Sequence, residues 1–167
     1  APIVEALRNG PASGVLLAPP HLPGWRDVPV VALAEEAFGL RVVLENDATA
    51  AAAGEHRHGA GAGTKHMVYL TISTGVGGGV VIDGRLYRGA GGNGGELGHV
   101  TVDWHGRHCR GCGRSGCLEA YVSGTSIAAR GCEAGMGDVT TADVAERAQS
   151  GDSLAAPPAT SCASHRR

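Results

Sequence analysis

The chain has 167 residues, 43% of them hydrophobic, enough for one ordinary core or for parts of two. Its formal net charge of -2, with 14 basic residues scattered along the chain, argues against a nucleic-acid surface, because neutralising phosphates takes a clustered basic face. No apolar run approaches the roughly 18 residues that span a bilayer, and no hydrophobic signal segment opens the sequence, so a soluble cytoplasmic protein with reduced thiols is expected.

With 28 glycines and 8 prolines, more than a fifth of the chain favours tight turns and close backbone approaches over long helices. Val15 to Ala18 reads as a buried strand, and Val30 to Phe38 as a helix. Val42-Val43-Leu44 reads as a second strand, and Asp47 to His58 as a second helix. Gly59 to Thr64 is a joint, followed by strands at Met67 to Ser73, Gly79 to Ile82 and Leu86 to Tyr87. Then come a cysteine-rich loop and two helices, the last capped by Thr140 and running through Gln149, with Pro157-Pro158 barring continuation. Alternating strands and helices followed by a meander imply an α/β sheet. The start at Ala1, the strand at Val15 without partners to pair with, and a tail from Pro157 to Arg167 with little to bury suggest a fragment.

Three segments carry chemistry. Glu45-Asn46-Asp47 joins an apolar run to an Ala-rich segment, which places it at the carboxyl end of a strand and the start of a helix, where open α/β sheets bind ligands. An Asp there also reads as a helix N-cap, although a cap needs only one of the three. Ser73-Thr74-Gly75-Val76-Gly77-Gly78-Gly79 lies between two strands, where glycine backbone N–H groups and the Ser73 and Thr74 hydroxyls suit a phosphate. It is neither a Walker A segment, lacking the Lys, nor a Rossmann turn, since a strand follows. A glycine-rich hairpin without a ligand fits the same residues.

The third segment is the most specific. His99 precedes Cys109, Cys112 and Cys117 on a glycine-rich loop, and one histidine with three cysteines is a donor set suited to a closed structural zinc site. His105 and His108 stand near enough to substitute for His99. A disulfide framework fits poorly, because the cluster is odd in number and Cys132 and Cys162 show no matching spacing. Glu96 and Glu119 bracket the ligands, so the metal would fix two acceptors for a polyol without performing its chemistry.

In order along the chain, LENDATAAAAGE (Leu44 to Glu55), STGVGGG with IDGRLYRGAGG (Ile82 to Gly92), GELGH (Gly95 to His99) and CGRSGCLE (Cys112 to Glu119) closely resemble the ROK family of sugar kinases and sugar-responsive repressors. HLPGW (His21 to Trp25) resembles a further family segment, with His21 in place of the usual Asn. The resemblance implies an actin-like ATPase (ribonuclease H-like) α/β fold, here incomplete, with a zinc-binding loop. It implies a hexose kinase using ATP with Mg2+ and a structural Zn2+, with glucose the expected hexose and mannose, fructose and the N-acetylated hexosamines open.

By position, the resemblance makes Asp47 the general base and Asn46 a sugar contact beside it. It assigns Glu96, His99 and Glu119 to further sugar hydroxyls, and His99, Cys109, Cys112 and Cys117 to zinc. Ser73, Thr74, Gly75, Gly77 and Gly78 fall in its second phosphate-binding segment. The domain organisation it implies is an amino-terminal lobe remnant at 1–46, the sugar, zinc and phosphate part of the second lobe at 47–156, and a disordered tail at 157–167. A homo-oligomer is expected of the full-length protein.

Two departures stand out. Cys109 and Cys112 are separated by two residues where the family has one, and the family's first phosphate segment, Asp-x-Gly-Gly-Thr, is absent. The 167 residues alone are therefore expected to be inactive as a kinase. The alternatives are a ROK repressor, which would carry a DNA-binding helix-turn-helix upstream, and an inactive sugar-binding remnant.

Overall fold

A computed structural model describes residues 14–17, 24–153 and 155. His21, Leu22 and Pro23 of the HLPGW segment, Ala18 at the end of the first apolar run, and the expected tail at 157–167 lie outside the described residues. The elements in order are α1 (Val30–Phe38), α2 (Asp47–His58), β1 (Met67–Ile72), β2 (Val76–Ile82), β3 (Arg85–Tyr87), a 3-10 turn (Leu97–His99), α3 (Glu119–Val122), α4 (Gly124–Glu133) and α5 (Thr141–Gln149). This is the α/β mixture implied by the sequence.

The strands form one antiparallel sheet in the order β1-β2-β3, with Tyr69 opposite Gly79 and Val81 opposite Leu86. Asp83 and Gly84 turn the second hairpin with φ of 50° and 71°, the left-handed pair that matches the twist of the flanking strands. The first hairpin differs from expectation. β2 begins at Val76 rather than Gly79, so the turn shrinks to Ser73-Thr74-Gly75, and Gly77, Gly78 and Gly79 lie inside a strand. Packing accounts for them: a Cβ on Gly77 would sit 2.6 Å from the Ala48 Cβ, and one on Gly79 2.3 Å from the Ala52 Cβ. Bare backbone here lets α2 lie directly on β2, and Ala48 and Ala52 are buried in that contact. Val81, 2% exposed, is the most completely buried large side chain in the sheet, worth about 1.5–3 kcal/mol for a residue of its type.

Upstream of α2 the expectations fail in part. Val42-Val43-Leu44 forms no strand, and among the described residues the run from Val15 contributes an antiparallel bridge, Leu16 to Val28. A strand requires a partner for its backbone groups, and apolar composition does not supply one. α1 forms where expected and ends on Gly39 in the left-handed conformation, its N–H bonded to the Glu35 carbonyl, yet no residue of α1 is buried.

Beyond the cysteine loop, the expected first helix divides at Ser123 into the four-residue α3 and the longer α4. The fully buried Ser123 side chain caps α4 by accepting from the Ser126 N–H at 3.2 Å. Thr140 caps α5 as expected, in a capping box with Asp143. α4 and α5 meet at Gly131, where a Cβ would lie 2.7 Å from Val144 Cγ2. Among the described residues, no helix is long and apolar enough to cross a membrane.

Candidate metal centre and active site

The loop between the 3-10 turn and α3 is folded by its own backbone. The Cys109 N–H donates to the Arg114 carbonyl at 2.7 Å, the Gly113 N–H to Cys109 at 2.8 Å, and the Val102 N–H to Gly116 at 2.8 Å. Gly113 and Gly116 take φ of 74° and 78°, which turns the chain back on itself. As a result the donor atoms of His99, Cys109, Cys112 and Cys117 all lie within 4.8 Å of one another. His105 and His108 do not join them. The extra residue between Cys109 and Cys112 is absorbed in the turn, since Gly111 is exposed and the Cys112 sulfur still reaches Cys117 at 3.3 Å.

The residues suit a metal. Tetrahedral zinc, at about 2.0–2.1 Å from nitrogen and about 2.3 Å from sulfur, spaces its donors roughly 3.5–3.8 Å apart; the Cys109 Sγ to His99 Nδ1 distance is 3.7 Å. Cys109 and Cys117 are fully buried, and all three thiols are free. Burial, with the hydrogen bond to Cys112 and the charge of its neighbours, pushes the Cys117 thiol up to about 12, and burial likewise raises Cys109. At Cys112 burial pushes upward too, but hydrogen bonds from the Arg114 N–H, Cys117 and the Arg114 guanidinium outweigh it and the thiol is lowered. A divalent metal bound by such crowded, buried thiols would reverse the penalty by taking them as thiolates.

His99 presents both ring nitrogens to the site. Nδ1 faces the sulfurs, while Nε2 lies 4.0 Å from Glu96 Oε2. Engaging Nδ1 with metal fixes the tautomer that keeps a hydrogen on Nε2, a donor directed away from the metal. The Arg114 guanidinium donates to the His99 carbonyl at 2.8 Å and holds the residue from behind. Glu119 links the centre to the sheet: its Oε1 accepts from the Cys109 thiol at 3.7 Å, and its Oε2 accepts the Val76 N–H at 2.9 Å.

Val76 opens β2, so Glu119 also steadies the Ser73-Thr74-Gly75 turn. That turn is gripped from its other side by α4. The Gly124 N–H donates to the Ser73 carbonyl at 2.7 Å, and the Thr125 hydroxyl to the Thr74 carbonyl at 2.9 Å. Beside it runs an open groove of about 590 Å³, lined by Ile72, Thr74, Thr125, Ile127, Val139 and Thr140. Ser73 and Thr74 are exposed, whereas Gly77 and Gly78 lie in β2 beneath α2 and the 3-10 turn.

Asn46 and Asp47 share the start of α2. Asn46, rather than Asp47, is the N-cap, its Oδ1 accepting the Thr49 N–H at 3.0 Å. Asp47 occupies the first helical position, exposed, with Oδ1 accepting from the Ala48 N–H at 2.8 Å. Glu45 before them receives Arg88 Nε at 2.8 Å and a terminal guanidinium nitrogen at 2.7 Å on one oxygen. Arg88 and Thr125 were not legible as site residues. Thr125 has a local signal, the Ser-Gly-Thr-Ser capping run, but Arg88 has none.

The sequence model of the ROK family matches residues 7–165. A glucokinase of Thermotoga maritima is 47% identical over 115 residues, covering 69% of this chain and 36% of that protein. A putative xylose repressor of Caldicellulosiruptor sp. is 42% identical over 111 residues, covering 66% and 27%. Among solved structures, a ROK family glucokinase from Streptomyces griseus, in complex with glucose and AMPPNP, superimposes with a TM-score of 0.67 at 36% identity, over 84% of this chain and 50% of that one. The chain thus spans at most half the length of these relatives. Its α/β architecture is part of the actin-like fold of the family, and its cluster of one histidine and three cysteines is consistent with the family's zinc-binding motif. On a family match running nearly end to end, the chain belongs to the ROK family.

Proposed function

We propose that this chain carries the sugar-binding, zinc-binding and phosphate-turn part of an ATP-dependent hexose kinase, of glucokinase type. The observation that carries the reading is the two-sided placement of His99, with Nδ1 among the sulfurs and Nε2 toward Glu96. Zinc held by His99, Cys109, Cys112 and Cys117 supplies rigidity and fixes the tautomer. Glu96, His99, Glu119 and Asn46 then offer acceptors and donors to a hexose at little ordering cost. Asn46 bears the capping duty of α2, which leaves one Asp47 oxygen without a capping role. As the hydroxyl oxygen of the sugar bonds to the γ-phosphorus of ATP and ADP leaves, Asp47 takes the hydroxyl proton. Ser73, Thr74 and Gly75 face the phosphates with Mg2+, and the adjoining groove suits the nucleoside. In this reading 1–46 belongs to the amino-terminal lobe and 47–156 to the second.

The test is Asp47→Asn in the longest natural version of the protein, assayed for hexose-dependent ADP release and for hexose binding. The expected outcome is a turnover loss on the order of 10²- to 10⁴-fold with affinity retained. Near-normal turnover contradicts the assignment. The similarity to a putative repressor favours a second reading, a sugar sensor built on the same site. An Asp-x-Gly-Gly-Thr segment upstream of Ala1 decides for the kinase, and a basic helix-turn-helix for the sensor.

A further inference from the structure

Glu45 and Arg88 stand 43 positions apart, and they meet between the loop that delivers Asn46 and Asp47 and the loop that delivers Glu96. We propose that the Arg88–Glu45 pair is a positioning clasp that sets one side of the sugar site against the other. It rests on the sugar-site reading above. Glu45 grips its own loop as well as Arg88: Oε1 accepts the Asn46 N–H at 3.1 Å, while Oε2 takes two nitrogens of the guanidinium, at 2.8 and 2.7 Å. Its side chain is only 15% exposed, so the pair is partly shielded on the carboxylate side.

The partner loop packs through bare backbone, Gly95 lying against Gly78 of β2 and Thr49 of α2, and has few side chains to hold it. Residues 89–95 read Gly-Ala-Gly-Gly-Asn-Gly-Gly, a segment with no large apolar side chain to bury and with the largest backbone entropy to lose on ordering. The backbone closes it onto Arg88, whose carbonyl accepts the Gly94 N–H at 2.8 Å. Gly94 packs so tightly that a Cβ there would lie 2.7 Å from the Tyr87 carbonyl and 2.8 Å from the Arg88 carbonyl carbon. Restraining Arg88 therefore restrains the loop, and the loop carries directly into Glu96 and the 3-10 turn of His99. The planar guanidinium fork suits this task, because two N–H groups on one carboxylate oxygen fix orientation as well as distance, which an ammonium does not.

The experiment compares the zinc-loaded chain with its Arg88→Gln and Arg88→Lys variants by amide hydrogen exchange and by calorimetric titration with glucose. Arg88→Gln is expected to raise exchange about fivefold, the scale of a half-exposed ion pair, at residues 46–49 and 89–97 together. Residues 109–117 should be unchanged, glucose binding should weaken by a similar factor, and Arg88→Lys should fall between. Faster exchange confined to 89–94, or none, overturns the clasp whatever glucose does. Coupled exchange in a chain that binds no hexose supports the clasp and contradicts the sugar-site reading instead.

Discussion

The segment from Trp25 to Leu44 and the segment from Met67 to Ser123 both leave large apolar side chains in solvent, Trp104 of the second most of all at 83%, and they differ in whether a buried centre forms beside them. The first is rich in large apolar side chains that stay in contact with solvent: Leu33 is 52% exposed, Phe38 73% and Val43 71%. The second contains a strand with three consecutive glycines, yet that strand is the best buried in the sheet, and two of the segment's deepest residues are cysteines. Burial here follows the availability of a facing element rather than hydrophobicity. α2 covers Gly77 and Gly79 because nothing stands in its way, and in the cysteine loop Val100, Val102 and Trp104 stay exposed while Cys109 and Cys117, two of the four candidate metal donors, are fully buried.

That contrast can be broken or sharpened. Chelating the metal is expected to act most strongly, since apparent binding energies of structural zinc run to about 10–16 kcal/mol. Amide exchange should rise across 96–123 and leave α1 as it was; protection unchanged across that loop would mean the metal does not hold it. Gly79→Val comes next, because its Cβ would meet Ala52 at 2.3 Å. Overpacking of this kind costs about 1–3 kcal/mol, visible as a lower melting temperature. Leu33→Ser should have the smallest effect, within about 0.5 kcal/mol for an exposed site in this chain. If the melting temperatures of the last two variants come out in the reverse order, the contrast between the segments is wrong.

What was legible in the sequence divides along the same line. Local signals located α1, α2 and α5 to the residue, because apolar periodicity and the Thr140 cap act within one or two turns. The metal donors were legible because cysteine and histidine so close together have few other uses. The strand expected at Val42 to Leu44 was not there to find, since pairing depends on residues far off in the chain. The start of β2 was missed for the opposite reason. Glycines that signal a turn in isolation lie there under the close approach of α2, which only the fold reveals. The Arg88–Glu45 pair left no trace in either local sequence. Nor did composition reveal that Asn46 rather than Asp47 would cap α2.

The central claim is that a metal-stapled loop presents His99, Glu96 and Glu119 to a hexose. Its most direct test is a calorimetric titration of glucose into the chain with one zinc bound, repeated after chelation and again after zinc is restored. Binding that disappears on chelation and returns with zinc is the predicted result. Equal glucose affinity with and without the metal would contradict it.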